Sequence, residues 1–281
     1  MHTIKFLDFN THFDDAHVVL LGAPLEYSIP RAGMIGGPNS IRHVSHMLES
    51  YSMKLNRSLK NMKLCDLGGV TFGKDIIESL RLISEEIEAV GTKKIVVIGG
   101  EHTVMIGVIE ALKQKYPELV IIQIDAHADL RDEYEGKKYS HAAVIRRCLE
   151  ILGPGRIYQL GIRSIEEEEL KFAQENTVIY DQVIPDDKLL DRLQGVPVYI
   201  SIDLDVLDPA YAPGVSVPEP CGVTPHELFN TIYTLSKLNN IVGFEIVEIS
   251  PTYDPTQITA FIAAKIIREA VLSFWGNNHV S

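Results

Sequence analysis

The sequence predicts an α/β fold built on a parallel sheet covered on both faces. Short, near-continuous apolar runs read as buried strands. Amphipathic stretches stand between them, so strand and helix steps alternate along the chain. Motifs rich in acids and histidines follow directly on apolar runs, at the carboxyl ends of strands, where open α/β sheets and closed barrels both carry their functional loops. About eight such steps fit either architecture, and periodicity does not separate them.

The elements follow in order. Residues 18–22 (Val-Val-Leu-Leu-Gly) read as the first strand, and 41–51 as a helix that Ser40 could cap. A short strand at 63–67 precedes a helix at 76–90, capped by Asp75, with Ile76, Ile77, Leu80, Ile83, Ile87 and Val90 on one side. The apolar strand 94–98 ends in Gly99-Gly100, a helix spans 103–116 up to Pro117, and the strand 119–124 follows. The second half repeats this rhythm, with helices at 142–152, 166–174, 186–193, 225–238 and 257–274 and strands at 157–160, 178–180, 198–202 and 241–247. Thr224 is the expected cap of the helix at 225–238. With no low-complexity segment and no Ser/Gly linker, residues 1–281 are expected to form a single domain.

The chain carries 38 acidic and 26 basic residues, a net charge of −12. That balance disfavours nucleic acid and suits a cationic ligand, besides keeping the chain in solution. No apolar run reaches the roughly 18 residues that suggest a membrane span, and residues 1–11 lack the layout of a secretory signal. Cys65, Cys148 and Cys221 are far apart and form no CxxC pair, so reduced thiols in a cytoplasm are expected.

The chemistry concentrates in Asp125-Ala-His127-Ala-Asp129. Three metal-competent side chains at i, i+2 and i+4 fall on one face of an extended backbone. After the apolar run 198–202, Asp203-Leu-Asp205 repeats the period of two, and Gly99-Gly-Glu-His102 adds a second imidazole at another strand end. Taken singly, His102 could be a packing histidine and Asp203 and Asp205 turn or cap carboxylates. Six ligand-type residues at three strand ends point instead to a metal pair. Mostly hard oxygen donors with two imidazoles suit manganese better than zinc. A metal pair turns water into a nucleophile at neutral pH, which implies a hydrolase.

Gly-Gly-Glu-His102, Asp125-Ala-His-Ala-Asp129 and Ser201-Ile-Asp-Leu-Asp-Val-Leu-Asp-Pro209 resemble the signatures of the ureohydrolases, the arginase–agmatinase family. The third runs on through Pro213-Gly214 to Gly222, and the likeness extends from about Gly22 to the last helix. This resemblance implies a three-layer α/β/α fold around a mostly parallel eight-stranded sheet, with two Mn2+ per chain. His102, Asp125, Asp129 and Asp203 would hold one ion. Asp125, His127, Asp203 and Asp205 would hold the other, with Asp125 and Asp203 bridging. Glu101 stands where the family usually has Asp; it is not a ligand position, so only local hydrogen bonding should change.

The resemblance also implies the reaction: a bridging hydroxide attacks a guanidinium carbon and releases urea and an amine. Glu248, in Ile246-Val-Glu-Ile-Ser-Pro251, matches the glutamate that holds the guanidinium, and His141, in Lys138-Tyr-Ser-His141, the proton-shuttle histidine. Asp129 is also expected to accept the hydrogen bond of the hydroxide. Leu130-Arg-Asp-Glu-Tyr-Glu135, Gly161-Ile-Arg-Ser164 and Val217-Pro-Glu-Pro220 look like agmatinases rather than arginases. Agmatine, cleaved to urea and putrescine for polyamine synthesis, is therefore the expected substrate. Asp132, Glu133, Glu135 or Glu219 would face its distal ammonium. Aminopropylagmatine, arginine or another guanidino acid are the rivals within this chemistry, and a metal-dependent amide deacetylase is the rival outside it. Trimers or hexamers are the implied assemblies.

Overall fold

All eight apolar runs form strands: β1 (Val18–Ala23), β2 (Leu64–Gly69), β3 (Lys94–Gly99), β4 (Val120–Ile124), β5 (Ile157–Leu160), β6 (Val178–Tyr180), β7 (Val198–Asp203) and β8 (Ile241–Val247). They join one sheet in the order β2-β1-β3-β8-β7-β4-β5-β6, with every pairing parallel. The structure, a computed structural model, describes residues 4–276 apart from Pro30 and Asp181. The sheet is open, because β2 and β6 lie at its two ends and do not pair with each other. This excludes the closed barrel.

Side chains alternate between two cores, as the period of two in a strand requires. Val18, Leu20, Val96, Ile98, Ile122 and Ile124 face one core; Val19, Leu21, Ile95, Val97 and Ile121 face the other. The first core is covered by α1 (Gly37–Ser45), α6 (Asp187–Leu193), α7 (Pro225–Leu235) and α8 (Ile258–Trp275). The second is covered by α2 (Ile76–Ala89), α3 (Val104–Lys115), α4 (Val144–Leu152) and α5 (Glu167–Asn176). Helices on both faces of the sheet make the three layers. No helix among the described residues is long and apolar enough to cross a membrane.

Two local expectations need correction. Helix α1 spans Gly37–Ser45 rather than 41–51: it begins before Ser40 because Pro38 sits in its first turn with its φ already suited to a helix, and Tyr51 lies instead in a two-residue strand, Tyr51–Ser52. Ser40 therefore lies inside the helix and caps nothing. On α2, Ile76, Leu80, Ile83 and Ile87 form the buried stripe, whereas Ile77 is 53% exposed: one residue along, a helix turns by about 100°. The Asp75 cap is present, its carboxylate accepting from the Glu78 N–H, and Thr224 forms a reciprocal capping box with Glu227 on α7.

Candidate metal centre and active site

Four strands adjacent in the sheet, β3, β8, β7 and β4, deliver the site from their carboxyl ends. In sequence β4 follows β3, but the chain leaves a gap between them that β7 and β8 fill later. Ligand crevices form where strand order breaks in this way. The turn after β3 is drawn in tightly: a Cβ on Gly100 would lie 2.0 Å from the Leu25 carbonyl oxygen. Only glycine admits that approach. Its N–H donates to Ala23 O (2.7 Å) and its carbonyl accepts from Glu248 N (2.8 Å), so three strand ends meet there.

Five of the six histidines and aspartates converge in two sets, and Asp203 stands beside the first. His102, Asp125 and Asp129 have ligand atoms within 4.8 Å of one another, and so do Asp125, His127 and Asp205. Asp125 belongs to both. His102 Nδ1 lies 2.9 Å from Asp129, 3.4 Å from Asp125 and 3.6 Å from Asp203; His127 Nδ1 lies 2.8 Å from Asp205. Asp203 keeps the cap role its sequence also allows: Oδ1 accepts from the Asp205 N–H (2.9 Å), while Oδ2 faces His102. Asp129 and Glu248 adopt left-handed backbone conformations, φ 54° and 67°. Such strain in a non-glycine residue persists only where the surroundings impose it, and it clusters at functional sites.

A buried layer beneath orients the cluster. Ser201 Oγ donates to Glu245 Oε1 (2.8 Å) and lies 2.9 Å from His102 Nε2. Its single hydrogen is used on Glu245, so Nε2 donates to Ser201, and Nδ1 faces three carboxylates; against the opposing effect of burial, Asp125 and Asp129 raise the ring well above the usual histidine range. Three carboxylates around one ring nitrogen make a place for a cation, which a proton fills in the free protein and a metal ion would displace. A hydrogen-bonded far nitrogen is also the usual support of a metal-binding histidine. Gln123 fixes Asp125 from below, donating to Oδ2 (2.7 Å), and is itself held by Gln159 (2.7 Å).

The electrostatics carry the same message. Asp125, Asp129, Asp203 and Asp205 are all buried. Burial, then the charge of Asp125, raises Asp129 to about 7; burial with Asp205 and Asp125 raises Asp203 well above the carboxylate range. Burial pulls His127 down, but Asp205 and then Asp125 override it and leave it at about 10. The carboxylates thus draw protons into the cluster. Four carboxylate charges match two divalent cations, and oxygen donors with one imidazole in each set suit a hard to intermediate metal. The residues fit a metal pair.

A cavity of about 350 Å³ opens above the cluster, lined by Asp129, His141, Asp203, Asp205, Glu219 and Glu248 among others. Glu248 receives the His102 N–H (2.7 Å) and the Ser216 hydroxyl, and burial raises it to about 8. His141 is lowered to about 4, first by burial and then by neighbouring cations, so it enters the cavity as a neutral base. Of the four acids expected near a distal ammonium, only Glu219 lines this cavity. Asp132 is paired with Arg147 (2.9 Å), and Asp132 and Glu133 border a separate depression. Arg163 clamps the Glu219 segment by donating to the carbonyls of Glu219 (2.6 Å) and Asp205 (2.7 Å).

Sequence reasoning missed Glu245, Gln123, Ser201, Arg163 and Ser28. For the first three a signal existed: a charged or polar residue inside an apolar strand must have a buried partner. Arg163 lies in the Gly161-Ile-Arg-Ser164 loop, whose likeness to agmatinases gave it no specific role, and Ser28 lies in a loop that carried no signal.

The Arginase family matches residues 16–273. The chain is 39% identical over 278 residues to the agmatinase of Bacillus subtilis (strain 168), covering 96% of each chain. It is 33% identical over 259 residues to the N(1)-aminopropylagmatine ureohydrolase of Thermococcus kodakarensis, covering 88% of each. The crystal structure of the agmatine ureohydrolase of Thermoplasma volcanium superposes with a TM-score of 0.89 at 33% identity, covering 100% of this chain and 98% of that one.

Proposed function

The chain belongs to the arginase family, enzymes acting on guanidino compounds, and from that premise we propose that it hydrolyses agmatine to urea and putrescine with two Mn2+ ions. The observation that carries this reading is the acidic cavity above the two Asp125-sharing ligand sets. Arg131, the basic side chain that could greet a substrate carboxylate there, is already engaged by Glu166 (3.2 Å) and Glu169 (3.7 Å). Glu219 has no Lys or Arg partner among the described residues; its nearest charged neighbour is His127 Nε2 at 3.9 Å. Such a mouth favours a cationic tail over the amino-acid head of arginine or the carboxylate of a guanidino acid.

His102, Asp125, Asp129 and Asp203 would hold one ion and Asp125, His127, Asp203 and Asp205 the other. When bound, the pair supplies hydroxide at neutral pH by lowering the pKa of water towards about 7. The protein's own groups do the rest. Glu248 pairs with the guanidinium, which is always charged, and holds its plane across the cavity. Asp129 accepts the hydrogen bond that aims the nucleophile at the guanidinium carbon. A C–O bond forms, the C–N bond to the alkyl chain breaks, and His141 delivers the proton that the departing amine needs.

Turnover of agmatine, aminopropylagmatine, arginine and guanidinobutyrate with added Mn2+, read as urea, tests the substrate. Agmatine should give the highest kcat/KM; a higher value for any of the others replaces the assignment. Glu219→Gln should raise KM for agmatine about fivefold, the worth of a half-exposed ion pair, and leave guanidinobutyrate unaffected. Metal removal has a separate readout. At an ion concentration near one hundred times Kd, binding contributes about 2.7 kcal/mol per site, so chelation should lower Tm by about 5–10 °C, reversed by Mn2+. An unchanged Tm, measured by calorimetry, would defeat the metal sites.

A further inference from the structure

Glu101 is fully buried and saturated with hydrogen bonds. Its Oε2 accepts from the Tyr27 N–H (2.5 Å) and the Ser28 N–H (2.8 Å); its Oε1 accepts from the Thr103 hydroxyl (2.5 Å) and the Ser28 hydroxyl (2.9 Å). The Ser28 oxygen has two further neighbours, the His141 backbone N–H (3.0 Å) and the His141 ring Nδ1 (3.0 Å). A serine hydroxyl has one hydrogen and two lone pairs. Its hydrogen lies on Glu101 and one lone pair takes the backbone N–H, so the ring nitrogen can meet it only as a donor. Nδ1 must then carry the proton of the neutral imidazole. Tyr134 packs edge-on against the ring, with centroids 5.1 Å apart and planes at 70°, and holds it in this orientation.

We propose that Ser28 and Glu101 are positioning residues that lock His141 in its Nδ1–H tautomer, leaving Nε2 as a bare proton acceptor. The catalytic consequence rests on the reading of His141 as the proton carrier. With the proton on Nε2 instead, the free nitrogen could give a hydrogen bond but could not collect a proton to pass to the leaving amine. A second serine–glutamate pair, Ser201 and Glu245, holds His102 from its other ring nitrogen. Two histidine–serine–glutamate relays thus serve one site from opposite ring nitrogens: Nε2 in His102 and Nδ1 in His141.

The direct test is nitrogen-15 NMR of histidine-labelled protein, metal-free and loaded with diamagnetic Zn2+, with His141 assigned by its loss in His141→Gln. The wild-type ring should show a protonated Nδ1. Ser28→Ala should move the proton to Nε2, with kcat down about 10–100-fold, KM within about twofold and metal content unchanged. Ser28→Thr, which keeps the hydroxyl, should restore tautomer and kcat. Glu101→Gln sharpens the test. Two backbone N–H groups hold the amide oxygen at the Oε2 position, so the NH2 faces Ser28, and the relay should reverse to Nε2–H. A wild-type Nε2–H ring, or an Nδ1–H ring that persists in Ser28→Ala, overturns the proposal. If His141→Gln leaves turnover intact while the tautomer still follows Ser28, the proton-carrier reading falls and the tautomer lock stands.

Discussion

Asp125→Ala is expected to abolish urea release and the retention of both metal ions together. Asp125 belongs to both three-residue clusters, and its oxygens face His102 and His127 at once. Its removal opens both coordination spheres, so neither ion should survive gel filtration. Without the ions the pKa of water returns from about 7 to about 15.7, and the neutral-pH nucleophile falls by roughly eight orders of magnitude. Activity should drop to the background of the urea assay. Metal analysis of the purified variant gives the second readout, with no equivalents expected against two for the parent. Urea release that survives with the metal gone would end the proposed mechanism.

Glu248→Gln should cut kcat/KM for agmatine by about 10²–10⁴-fold while metal content stays at two. The substitution keeps shape and leaves an amide oxygen for the His102 N–H, but it removes a carboxyl that burial holds at about 8 and that a permanently cationic substrate would draw into its charged form. Leaving one member of a desolvated ion pair alone costs about 3–5 kcal/mol, and each 1.36 kcal/mol is tenfold. The left-handed backbone at this position argues for Gln over Gly as the control, since Gly would relax the strain as well as remove the side chain. Steady-state kinetics with parallel metal analysis decides it. A loss below tenfold would remove Glu248 from guanidinium binding, and a loss of metal would show that it supports the ligands instead.

The strands were legible in the sequence because a parallel strand covered on both faces must be apolar almost throughout, and each such run stands out. Helix ends were less legible. Pro38 moved the start of α1 back by four residues, an effect of backbone geometry that outranked the better-known capping preference of Ser40. The ligand residues were legible for a related reason. Asp125 and Asp203 directly follow or end an apolar run, where a charge is too costly to bury without a partner. Glu245 and Gln123 obey the same rule inside their strands, but read one residue at a time they looked like minor interruptions. Ser28 could not be found this way, because its importance lies in a hydrogen bond to a residue 113 positions away.

By itself, the sequence determined the α/β alternation, the parallel character of the sheet and the three strand ends that carry metal-competent side chains. All three follow from local chemistry: periodicity, burial cost and spacing within one segment. Only the tertiary structure decided that the sheet is open, that β8 and β7 stand between β3 and β4, and that Asp125 therefore meets His102 on one side and His127 with Asp205 on the other. It also decided which of the expected acids lines the cavity and which ring nitrogen of His102 and of His141 meets a serine hydroxyl. Those outcomes depend on strand order and on hydrogen bonds between segments far apart in the chain. No local pattern encodes them, because the energy that selects them exists only once the layers have packed.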